Sequence, residues 1–169
     1  EYIEGFEKLQ QHIFRGDIYE VNYCQEFFAS NVVLNPISVY QNLYSVSKPP
    51  FAAYYRCQDK YLMCASPERF LKKDTKTLIS QPIKGTRKRS TQLEEDNRLK
   101  NELLNCPKEQ SENVMIVDLV RNDLSKTASP TSVKVQELFG IYSFPQVHQM
   151  ISTVVSELEE NTPWTEAIR

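Results

Sequence analysis

The sequence predicts an α+β fold, with largely antiparallel sheets packed with helices. Three observations predict it. Helical and strand-like patterns come in blocks (helix, strand, helix, several strands, a helical block, strands again) and not in strict βαβ alternation. Two apolar runs, FAAYYRC and YLMCASPERFL, flank the short polar stretch Gln58-Asp59-Lys60, which is hairpin spacing. The composition is also ordinary for a globular chain: of 169 residues, 40% are apolar and 25% charged, which argues against disorder. That length suits one domain and hardly two.

The elements follow in order. Ile3, Phe6, Leu9 or Gln10, and Ile13 recur at helical spacing, and Gly16 follows as a stop, so residues 3–14 are expected to be a helix. The run from Ile18 to Phe28 is rich in β-branched and aromatic residues, with Tyr19, Val21 and Tyr23 alternating, and reads as a long strand. Pro36 opens a short helix in which Ile37, Tyr40 and Tyr44 share a face. After the hairpin, Thr77–Ile83 reads as a further strand. Residues 91–125 read as helix interrupted at Pro107, and Val133–Tyr142 and Val147–Leu158 as two strands joined through Phe144-Pro145. Thr162-Pro163 looks like a helix just starting, and both ends of the chain read as cut. The strands exceed what a small two-layer domain needs, so a sheet shared with further sequence is expected.

Composition also excludes functions. The 20 basic and 22 acidic side chains leave a net charge of −2, which rules out a strongly basic nucleic-acid binder. The four glycines, Gly5, Gly16, Gly85 and Gly140, are too dispersed for a dinucleotide-binding or P-loop turn. Cys24, Cys57, Cys64 and Cys106 show no C-x-x-C spacing, and with two histidines a Cys/His zinc site is not expected. With no signal-like segment and no long apolar run, the thiols read as reduced in a cytoplasm, with no membrane partner.

Four segments could carry chemistry. In QPIKGTRKRS (81–90) a strand leads into a turn at Lys84-Gly85-Thr86, followed by Arg87, Lys88 and Arg89. The clustered cations suit an anionic small molecule, Gly85 permits close backbone approach, and a lysine crowded by cations can become nucleophilic. From charge alone, a solvated basic loop is the simpler account. In the helical segment 111–124, Glu112 lines up with Ile116, Leu119 and Val120. A carboxylate on an apolar stripe must be paired, protonated or bound to a cation, and Mg²⁺ suits such oxygen ligands. A helix-start carboxylate complementing the dipole explains it as well. Asp118, Arg121 and Asn122 read as a local structural network. In Ser66-Pro67-Glu68-Arg69, Pro67 breaks the strand ladder and could turn Glu68 toward a cleft as a general acid, or Glu68 and Arg69 form a surface pair. His148, alone in its strand, reads as a satisfied structural histidine.

Taken together, GDIYEVNYCQEF (16–27), SPERF (66–70), PIKGTRKR (82–89), ENVMIVDLVRNDL (112–124) and VKVQELFGIYSFPQVHQMISTV (133–154) resemble the chorismate-utilising enzymes, and among them the aminodeoxychorismate (para-aminobenzoate) synthases. The resemblance covers nearly the whole chain. It implies the two-layer chorismate-binding fold, present in part, with residues 1–169 the larger N-terminal part of one catalytic domain that continues beyond Arg169. It further implies chorismate as substrate and Mg²⁺ as cofactor, with Glu112 one of two carboxylate ligands and Gly85 and Thr86 the substrate-contacting turn. Lys84 is implied as the nucleophile that attacks ring C2, and Glu68 as the acid that assists loss of the 4-hydroxyl. Ammonia from a glutamine amidotransferase partner would complete amination to 4-amino-4-deoxychorismate, for para-aminobenzoate and folate synthesis. Anthranilate synthases, the alternative, usually carry a small residue where this chain has Lys84. Relatives place an active-site histidine one position after His148, where this chain has Gln149, so His148 carries the proton-transfer role only weakly. A non-catalytic module using Arg87, Lys88 and Arg89 on an acidic or nucleic-acid partner is the remaining alternative.

Overall fold

The computed structural model describes residues 1–168. The chain divides into two units, Glu1–Asn35 and the remainder from Pro36 onward. In the first, α1 (Tyr2–Arg15) ends as expected at Gly16, whose φ of 80° lets its N–H reach the carbonyls of His12 and Ile13. The strand expected over Ile18–Phe28 does not form: that stretch has no ladder partner among the described residues of its unit. A strand exists only as part of a sheet, and here the aromatic spacing serves another contact. Tyr23 stacks on Tyr2 with ring centroids 4.7 Å apart, directly over Gly5, where a Cβ would come within 2.2 Å of the Tyr23 hydroxyl.

The second unit contains α2 (Pro36–Ser47), β1 (Phe51–Cys57), β2 (Lys60–Ser66), β3 (Arg69–Asp74), β4 (Thr77–Gln81), β5 (Ile83–Lys88), α3 (Leu93–Leu104), α4 (Pro107–Ser125), β6 (Lys134–Ser143), β7 (Val147–Glu157) and a final 3₁₀ turn, Trp164–Ile168. β1 and β2 form the expected hairpin. Pro67 ends that pairing, because β3 joins a different, five-stranded sheet ordered β3-β4-β7-β5 with β6 on β7. Every pairing is antiparallel, as expected.

β7 organises this sheet. Its residues 154–157 pair with β4 and its residues 147–151 with β5, while β6 runs along almost its whole length. The α+β expectation holds, with α3 and α4 packed on β5, β6 and β7. The core between α4 and the sheet is Leu78, Val117, Leu124, Val154 and Leu158. Strand alternation places His148, Met150, Ser152, Val154 and Ser156 on the helix-facing side. Gln149, Ile151 and Thr153 point to the other side.

Two local expectations change. Lys84-Gly85-Thr86 is not a turn: it lies inside β5, and the register with β7 shifts between Ile83 and Thr86. Gly85, at φ 95°, absorbs that bulge. The stripe of α4 that meets the sheet runs through Asn113, Val117 and Leu124, so Leu119 is exposed and Glu112 lies on the flank. A helix drifts about 100° per residue, so an apolar stripe misjudged by one position turns its edge outward.

Candidate active site

Four separate segments converge on the β5 bulge. Pro82 has no N–H to give, but its carbonyl accepts from Ser152 N–H at 3.2 Å, which keeps β5 in the sheet across the break. The next residue, Ile83, donates its N–H to Glu68 Oε1 at 2.9 Å. Glu68 sits in the two-residue link between β2 and β3, where its own N–H is held by Ser66 Oγ at 3.2 Å. Pro67 thus delivers a carboxylate to the residue immediately before Lys84. The sequence segments read separately as candidate acid and candidate nucleophile are brought together.

Gly85 faces the helices. A Cβ there would stand 3.0 Å from Leu103 Cδ1 and 3.1 Å from Glu109 Cβ, so the absent side chain lets β5 approach the α3–α4 corner. Thr86 is exposed on the opposite side and pairs in register with Gln149, so the two share a face. Gln149 is buried and its Oε1 has no hydrogen-bond partner.

The basic run is largely neutralised. Arg87 pairs with Glu109 at 3.3 Å, and Arg89 pairs with Asp96 at 2.7 Å while also donating to the Phe144 carbonyl. Lys84 is half-buried and has an interaction of its own. Little of the field that a nucleic-acid module would need remains unpaired.

His148 is 1% exposed, and both ring nitrogens are engaged: Nε2 with Asp96 Oδ1 at 3.0 Å and Nδ1 with Ser143 Oγ at 2.8 Å. An ionised Asp96 can only accept, so Nε2 donates to it. The residue that meets Thr86 is Gln149, and His148 is locked into the helix-facing core. The proton-transfer role considered for His148 is therefore not supported by its position. Asp96 is one of three acids in the first turn of α3, with Glu94 and Glu95, and nothing in that local pattern singles it out as a partner. It is buried instead, accepting from Arg89 and from the Ser90 N–H. Those bonds, Arg89's first, then the Ser90 N–H and then His148, hold its carboxyl far below the usual carboxylate range.

Glu112 is the candidate metal ligand. Its side chain is 36% exposed and its Oε1 is paired with Lys108 Nζ at 2.9 Å. That contact raises the Lys108 ammonium above its ordinary value, the hydrogen bond to Glu112 being the largest cause. Among the described residues no group of three His, Cys, Asp or Glu side chains could hold a metal ion. A single accessible carboxylate fits Mg²⁺ as one ligand, since that ion is typically held by one or two carboxylates with substrate and water completing the shell. Asp118 pairs with Arg121 at 2.9 Å, the local contact expected.

A family model described as chorismate binding enzyme matches residues 1–169, and the chain belongs to that family. Over 169 residues it is 37% identical to aminodeoxychorismate synthase component 1 of Salmonella typhimurium, which matches all of this chain and 37% of that protein. It is 34% identical to the chloroplastic anthranilate synthase alpha subunit 1 of Arabidopsis thaliana, again over the whole chain and 28% of the relative. Among solved structures, anthranilate synthase component I from Streptococcus pneumoniae superposes with a TM-score of 0.70 at 29% identity, covering 80% of this chain and 29% of that one. The chain thus spans between 23% and 37% of the length of curated relatives such as these. Among the described residues no helix is long and apolar enough to cross a membrane.

Proposed function

We propose that these residues supply the nucleophile, the acid, the substrate turn and one metal ligand of an aminodeoxychorismate synthase. The observation that carries the reading is the bond from Ile83 N–H to Glu68 Oε1, which fixes a carboxylate at the backbone of the residue that precedes Lys84. In the proposed reaction the neutral Lys84 amine attacks ring C2 of chorismate, both ring double bonds shift by one position toward C4, and the 4-hydroxyl leaves as water with the proton from Glu68. Ammonia then adds at C4 as the C2–N bond to Lys84 breaks, giving 4-amino-4-deoxychorismate and restoring the lysine. Two easier displacements replace one hard substitution. Thr86, on the exposed face of this strand, would contact the substrate with its side chain, and Gly85, which faces the helices, would contribute through its backbone. Mg²⁺, bound through Glu112 and a second carboxylate outside these 169 residues, would neutralise substrate carboxylate charge.

A glutamine amidotransferase partner would deliver the ammonia, and the four free thiols suit a cytoplasmic setting. Membership of one domain with sequence beyond Arg169 is part of the same proposal. Anthranilate synthase is the second reading, favoured by the Arabidopsis and Streptococcus matches. Lys84 counts against it, because the resemblance implies a small residue at that place in anthranilate synthases. The test is product analysis of the complete protein with chorismate, Mg²⁺ and ammonia. Aminodeoxychorismate is expected, and anthranilate or isochorismate as the main product would overturn the assignment.

A further inference from the structure

We infer that Lys108 acts as a built-in competitor for the divalent cation, occupying the Glu112 carboxylate when the metal is absent and setting how tightly the metal binds. The inference rests on the reading of Glu112 as a metal ligand. Lys108 Nζ holds Glu112 Oε1 at 2.9 Å from the preceding turn of α4, with the lysine side chain 72% and the glutamate 36% exposed. The neighbouring carboxylate is unavailable: Glu109 is 14% exposed, tied to Arg87 at 3.3 Å, and lies against Gly85.

Around this end of α4 two ion pairs are formed among the described residues, Lys108 with Glu112 and Arg87 with Glu109. Of the two cations, Lys108 is the one free to leave, because its side chain is mostly in water and Arg87 is held at the strand. A hard cation approaching Glu112 must displace the ammonium and then sits beside it, so contact and Coulomb repulsion act in the same direction. An exposed pair of this kind contributes little to folding, so removing it leaves the protein intact while freeing the ligand.

The experiment uses the complete protein and Mn²⁺ alone as the probe, with free Mn²⁺ counted by electron paramagnetic resonance and displaced by Mg²⁺. Manganese shares the oxygen-ligand preference of magnesium. Lys108→Gln is expected to tighten Mn²⁺ binding by about two- to five-fold, the range an exposed ion pair can contribute. The gain should shrink at high ionic strength. Lys108→Arg, which keeps the charge and the reach, is expected to leave the affinity near that of the wild type. Glu112→Gln should abolish the site. If Lys108→Gln binds no more tightly while Glu112→Gln still abolishes binding, the competitor role is overturned and the metal reading stands. If Glu112→Gln binds Mn²⁺ unchanged, or the wild type takes up none, Glu112 is not a ligand and both readings are overturned.

Discussion

Lys84 and Glu68 are sixteen positions apart in the sequence, and a single hydrogen bond, from the Ile83 N–H to the Glu68 carboxylate, ties the acid to the residue before the lysine. Glu68→Gln keeps the size of the side chain and its acceptor oxygen but cannot donate a carboxylic proton in the same way. Its kcat for amination should fall by about 10²–10⁴ with KM little changed, the range for a lost general acid. An unchanged kcat would remove Glu68 from the chemistry. Lys84→Ala should abolish the covalent adduct that intact-protein mass spectrometry detects with chorismate and Mg²⁺ but no ammonia. Retention of most turnover, with no less adduct, would remove the nucleophile. Asp96 belongs to stability instead. Its folded pKa is depressed, so its contribution is present above the unfolded carboxylate value of about 3.9 and is lost as pH falls through that region toward the folded value. Urea unfolding between neutral pH and pH 3 should show stability falling on the acid side, and Asp96→Asn should flatten that fall. Equal acid limbs in the two proteins would mean that the Arg89–Asp96–His148 network carries no such linkage.

β5 is the element on which the site depends, and it is held from both sides. Its bulge fits against Leu103 and Glu109 only because position 85 lacks a Cβ. Gly85→Ala combines a φ of 95° with contacts at 3.0 and 3.1 Å, and should cost about 1–3 kcal/mol in chemical denaturation. It should also lower activity by shifting Lys84 and Thr86. A variant as stable as the wild type would show that β5 can move away from the helices at no cost. The sequence made most elements legible, because β6, β7, α3 and α4 are long, Pro107 separates the two helices and Gly16 ends α1. What it concealed depended on partners. Ile18–Phe28 has the residues of a strand, yet strand pattern reports a suitable surface and not the presence of a neighbour. Lys84-Gly85-Thr86 reads locally as a turn because glycine permits both a turn and a bulge, and only pairing with β7 distinguishes them. His148 and Gln149 show the same limit: alternation states that they face opposite sides, and the helices show which side is the core.

At the scale of the whole chain, buried and exposed apolar surface are out of balance. The core cluster between α4 and the sheet has five buried members, while Phe27 is 91%, Phe28 80%, Phe70 72% and Leu93 74% exposed. Scattered exposed leucines are ordinary, but this many large side chains in water mark surfaces that other protein normally covers. The same chain matches only 37% of the length of the Salmonella relative. Both facts lead to one expectation about the polypeptide of these 169 residues produced alone. It should bind a hydrophobic dye, associate as its concentration rises, and show no turnover with chorismate, Mg²⁺ and ammonia. The proposed Mg²⁺ would need a second carboxylate beside Glu112, and no group of three potential metal ligands exists among the described residues. The complete protein should stay dark with the dye and form aminodeoxychorismate under the same conditions. Sedimentation, dye fluorescence and product chromatography on the two proteins side by side decide the matter. A short polypeptide that stays monomeric, excludes the dye and aminates chorismate would show that the bulged strand, Glu68 and Glu112 are sufficient by themselves, and would overturn the assignment of a second ligand to other sequence.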